Sequence, residues 1–114
     1  TKVDQLVLAK LEEKKLAPVS DADRATLIRR VYFDLIGLPP EPKEVEEFLK
    51  DTDANAFEKV VDKLLASKQF GERWGRYWLD IARYAESNGN ADNVFFPEAW
   101  RFRDYVIDAL NNDI

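Results

Sequence analysis

The chain has 114 residues, 46% of them apolar and 34% charged, with a net charge of −5, which suits one domain with its own core and is too short for two. Cysteine, histidine and methionine are all absent, which excludes disulfides, thiolate nucleophiles, imidazole acid–base chemistry and the usual axial haem ligands other than tyrosine. An acidic chain with no dense Lys/Arg block is not built to neutralise phosphates, so no nucleic-acid partner is expected, and no apolar run approaches the ~20 residues of a membrane span.

In chain order, the first predicted helix is capped by Asp4 and runs to Lys15, with Pro18 closing it. Ser20 and Asp23 stand at capping-box spacing before a second helix. That helix carries Leu27, Ile28, Val31, Leu35 and Ile36 on one stripe and ends at Gly37. Leu38-Pro39-Pro40 reads as a stiff connector. Pro42 suits the first position of a short third helix bearing Val45, Phe48 and Leu49. After the polar turn 51–55, Phe57, Val60, Val61, Leu64 and Leu65 follow helical spacing without a miss.

A fifth helix is predicted over Gly71 to Glu86, with Trp74, Tyr77, Trp78, Ile81 and Ala85 on one face. Residues 87–96 form the longest irregular stretch, rich in Asn, Gly and Asp, and Pro97 opens a sixth helix bearing Trp100, Val106, Ile107 and Leu110. The expected fold is all-α: a compact bundle of about six short-to-medium helices with one longer Asn/Gly/Asp loop. Aromatic residues concentrate at 70–84 and 95–105, where the heaviest part of the core is expected.

Three groups bear on chemistry. Glu72, Arg76, Asp80 and Arg83 have the spacing of an ion-pair ladder along one helix face. With Trp and Tyr beside them they suit either an anion or carbohydrate surface or plain core packing with self-paired charges. The loop Glu86-Ser87-Asn88-Gly89-Asn90-Ala91-Asp92-Asn93 alternates oxygen-bearing side chains, but it lacks the leading Asp and closing Glu of a calcium loop, so an ordinary turn is expected and no metal. No residue set completes a catalytic motif. If the domain holds a binding site, its residues are expected to be Asp80, Arg83, Tyr84, Glu86, Ser87, Asn88, Trp100, Arg101 and Asp104, where unlike charges, aromatic faces and the long loop coincide. The competing expectation is that Arg83 and Arg101 pair with Asp80, Glu86 or Asp104 and lock two helices together.

Several segments carry a resemblance to a known family. Asp23-Arg24 with Leu27-Ile28-Arg29-Arg30, then Asp34-Leu35-Ile36-Gly37-Leu38-Pro39-Pro40, Leu64-Leu65-Ala66-Ser67 and Phe70-Gly71-Glu72-Arg73-Trp74 are among them. So are Trp78-Leu79-Asp80 with Ala82-Arg83-Tyr84-Ala85, Ser87-Asn88-Gly89, and Ala99 to Ile107. Together they resemble the planctomycete cytochrome c-associated domain, a domain of unknown function, over nearly the whole chain. Asn90-Ala91 departs from the larger or charged residues usual after the family's Asn-Gly pair.

The resemblance implies a domain excised from a larger exported, extracytoplasmic protein, with haem c in a neighbouring domain and none in this chain. It implies neighbouring domains of the same polypeptide as partners. A non-catalytic interaction or scaffold role is the leading expectation. A module binding extracellular carbohydrate or an anion is the second, and part of an enzyme completed by further C-terminal sequence is the third.

Overall fold

A computed structural model describes residues 1–114, and it is all-α: α1 (Lys2–Glu13), α2 (Arg24–Leu35), α3 (Pro42–Lys50), α4 (Ala56–Leu65), α5 (Lys68–Ile81) and α6 (Ala99–Asn111). The one β feature is an isolated bridge between Ser87 and Phe95. Helix α1 makes no substantial contact with any other helix, and of its residues only Leu11 is even half-buried. Its outlying position contributes to a radius of gyration of 19.9 Å, against ~13 Å for a closely packed chain of this length.

Helix starts follow local side-chain chemistry. Thr1, not Asp4, caps α1, and Asp4 is the reciprocal partner of a capping box. At α2 the cap is Asp23 itself rather than Ser20: its carboxylate accepts from the Thr26 backbone N–H at 2.8 Å. Glu41 and Glu44 form an acidic version of the box on either side of Pro42, with the Glu41 N–H donating to Glu44 at 2.9 Å. The ends of α1 and α5 come earlier than expected because Lys15 and Arg83 turn left-handed, with φ of 56° and 55°. In each case the following N–H reaches back past a full helical turn: Leu16 to the Leu11 carbonyl, and Tyr84 to that of Leu79, both at 2.9 Å. No glycine marks either turn, so the sequence carries no stop signal there.

The main core is built by α2, α3 and α4. Ile28, Tyr32, Phe48, Ala56 and Leu64 are buried, with Val31, Leu35, Val45 and Val60 packed around them. Arg24 ties α2 to the end of α3 by donating to the Phe48 and Asp51 carbonyls, its guanidinium 4.2 Å from the Phe48 ring centroid. Burial, followed by a hydrogen bond to Glu44, raises the Tyr32 hydroxyl well above its ordinary pKa.

The Glu44 carboxyl stands below its usual value: burial pushes it up, but the Lys63 ammonium at 2.7 Å, the Glu41 N–H and Tyr32 outweigh that. Asp23 is lowered mainly by the Thr26 N–H. Both depressed carboxylates contribute stability that is fully present above the ordinary carboxylate range of about 4 and is lost as pH falls through their lower folded values. The urea midpoint should therefore hold from pH 7 to about 5 and drop below about 4. Glu44→Gln should flatten that acid limb, and a midpoint that rises on acidification would contradict the assignment.

The aromatic second half does not hold the heaviest core. Helices α5 and α6 pack chiefly on each other, and their buried positions are Gly71, Gly75 and Val106. The stripe of Trp74, Tyr77, Trp78 and Ile81 faces solvent instead, with Trp78 58% exposed. A helix paired with one main neighbour buries one narrow strip, and here the glycine strip lies against α6. Helix α5 joins this pair to α2 and α4, and Arg73 reaches the turn after α2: Gly37 is left-handed at φ +74°, and a Cβ there would stand 2.8 Å from the Arg73 Cδ.

Candidate functional site

The region selected from the sequence lies where the end of α5, residues 82–98 and the first half of α6 meet. Its centre is a side-chain network. The Tyr84 hydroxyl donates to Glu86 Oε1 at 3.0 Å, Arg103 Nη1 reaches the same oxygen at 2.7 Å, and Arg103 Nε reaches Asp104 Oδ1 at 3.0 Å. The Tyr84 and Phe102 rings lie 6.2 Å apart. Partial desolvation and then the Glu86 carboxylate raise the Tyr84 pKa, while Asp104 raises that of Arg103. Tyr84 is therefore a neutral donor and Arg103 a fixed cation.

Beside this network opens a cleft of about 310 Å³, lined by Glu72, Arg76, Leu79, Asp80, Tyr84, Arg103 and Ile107. Asp80 and Arg103 both line it without forming an ion pair, and the expected ladder from Glu72 to Arg83 does not form. The two proposed lock residues pair elsewhere or not at all. Arg83 extends from its left-handed turn into solvent. Arg101 pairs with Glu98 at 2.5 Å on the exposed surface and lies 5.6 Å from the Trp100 ring.

The loop organises itself. Asn88 Oδ1 accepts the backbone N–H groups of Asn90 at 3.2 Å and Val94 at 3.0 Å, Asn88 N donates to the Val94 carbonyl, and Phe96 N donates to that of Glu86. That oxygen serves the turn. Ser87 forms the backbone bridge to Phe95. Val94, Phe95 and Phe96 of the loop are exposed, as are Trp100 and Phe102 of α6, from 44% for Phe102 to 68% for Phe95. No three acidic side chains converge anywhere to hold a metal ion.

A family model described as PSCyt2, protein of unknown function (DUF1549), matches residues 2–114. The chain belongs to that family. No match was found among curated proteins or among solved structures. In this PSCyt2 domain the structure brings together Tyr84, Glu86 and Asp104, with Asp80 at the cleft edge, and leaves Arg83, Ser87, Asn88, Trp100 and Arg101 outside the network.

The residue that joins them, Arg103, was missed by sequence reasoning; the cleft residue Arg76 stood in the sequence reading only as part of the Glu72–Arg83 surface and not among the site residues. A signal for Arg103 existed. Positions 100, 103, 107 and 110 share helical spacing, so Arg103 falls on the stripe turned toward α5, whereas Arg101 lies on the opposite side of α6.

Proposed function

We propose that this domain is a non-catalytic interaction module of an exported multidomain protein, docking a neighbouring domain of the same polypeptide. The observation that carries the reading is the set of exposed aromatic side chains within residues 95–102, Phe95, Phe96, Trp100 and Phe102, close in sequence to the Glu86–Arg103–Asp104 pairing. Aromatic side chains with arginine at hand are the composition of an interface centre, and apolar surface of that kind on a folded domain marks a contact site. The family resemblance points to a c-type cytochrome domain elsewhere in such proteins. Haem c would then belong to that neighbour, and the whole would reside outside the cytoplasm.

The test is calorimetric titration of this domain with the separately produced neighbouring domains of its full-length protein. Saturable binding is expected, and Trp100→Ala should weaken it at least about thirtyfold with an unchanged helical circular dichroism spectrum. Absence of binding, or full affinity in the variant, would overturn the reading.

A second reading, a carbohydrate or anion site, draws support from the cleft, where Arg76 has no ion-pair partner and the Arg103 guanidinium lines the same space. Saturation by a soluble oligosaccharide or inorganic phosphate, with Arg76→Gln abolishing it, would favour that reading over docking.

A further inference from the structure

Two apolar surfaces take no part in that docking face. One is the stripe of α1, formed by Val3, Leu6, Val7 and Leu11 and continued by Lys10 and Lys14. The other is a groove of about 230 Å³ at the far end of α6, walled by Trp78, Tyr105, Val106, Ala109, Leu110 and Ile114. We propose that α1 of one copy seats in this groove of a second copy, and reciprocally, making an arm-exchanged dimer.

The occupant is a helix because the open side of a two-helix pair is a third-helix position, walled here on one side by Trp78 and on the other by the α6 stripe. The charges match. Residues 2–16 carry four lysines against three acids, while residues 105–114 around the groove carry Asp108 and Asp113 and no basic side chain. Asp113 follows the Asn112 cap in a left-handed turn, next to the negative end of the α6 dipole. The stripe of α1 is apolar in its first half and lysine-bearing in its second, so it can place Lys14, which has no ion pair, at that end. Lys10 is engaged only by Glu13 in solvent.

Area favours reciprocity. Seating about five aliphatic side chains removes on the order of 1,000 Å² from water over both partners, and two such contacts give ~2,000 Å², within the range of stable dimers. Finally, α1 already stands clear of its own body on residues 14–23, which carry no helix, the geometry from which exchange costs least.

The absence of cysteine allows a direct test. One copy carries Leu6→Cys and a second Ala109→Cys, and the two are mixed and oxidised. A disulfide-linked pair should form far faster than with a second copy carrying Glu58→Cys on α4. Light scattering of the unmodified chain at ~100 µM should give twice the 13.2 kDa chain mass. Leu6→Asp should raise the dimer dissociation constant at least about thirtyfold with no change in helix content, since α1 supports nothing in its own chain. A single-chain mass, or cross-linking to position 58 as fast as to 109, would overturn the proposal. So would a chain carrying both Leu6→Cys and Ala109→Cys that closes its disulfide within itself at high dilution. None of these outcomes bears on Trp100, so the docking reading stands or falls separately.

Discussion

Gly71→Ala should destabilise the domain by about 3 kcal/mol, although alanine is the better helix former by ~1 kcal/mol at an open position. The reversal comes from what the new methyl group would meet. A Cβ at Gly71 would stand 2.5 Å from the Ile107 carbonyl oxygen and 2.6 Å from the Asn111 carboxamide. A backbone oxygen cannot rotate aside, so α6 must move. Moving it also breaks the cap that Asn111 supplies to α5, where its Oδ1 accepts the Gly71 N–H at 2.7 Å and its Nδ2 donates to the Lys68 carbonyl at 3.2 Å. Gly75 is the control: its Cβ would meet the Ile107 Cγ1 methylene at 3.2 Å, and a side chain can shift by a few tenths of an ångström. Gly75→Ala should change stability by less than ~1 kcal/mol. Urea denaturation of the two variants decides it, and a Gly71→Ala domain as stable as the parent would mean that the close approach of α5 and α6 does not hold in solution.

The second large effect separates the two halves of the chain. Leu64→Ala should cost on the order of 3 kcal/mol, because Leu64 is 3% exposed inside the α2–α4 core and its removal leaves a cavity walled by side chains that cannot all collapse. Trp78→Ala, a far larger truncation, should cost less than ~1 kcal/mol in the isolated domain, since the indole is 58% exposed. Residue size alone predicts the opposite order. Equal losses would place Trp78 in a buried interface under the assay conditions, and repeating the measurement across a hundredfold range of protein concentration would show whether a second copy supplies it.

The helices themselves were legible along the chain. Proline at the first turn of α3, the unbroken spacing of α4 and the glycine after α2 each act through bonds and sterics within a few residues, so the structure keeps them. The ends of α1 and α5 were not legible, because Lys15 and Arg83 take a left-handed turn that nothing in their side chains announces, and α5 and α6 begin at Lys68 and Ala99 rather than at Gly71 and Pro97. Of the candidate site, Tyr84, Glu86 and Asp104 were found because charge and aromatic character gather there. Arg103 was passed over for Arg101, two positions away, since composition does not tell which side of a helix meets a neighbour.

The amino-acid order alone determined the all-α class, the approximate places of the six helices, the Asn-rich turn and the absence of histidine, cysteine and methionine. These depend on local hydrogen bonding, spacing and residue identity. Only the tertiary structure decided which face of each helix is inside. On α5 two faces competed, one of large aromatics and one of glycines, and apolarity favoured the first. The glycine face won because it lets the α6 backbone come close enough for Asn111 to cap the helix, a contact across forty residues that no local pattern encodes. Turning the glycines inward left Trp74 and Trp78 facing solvent, because a helix with one main neighbour has only one face to bury.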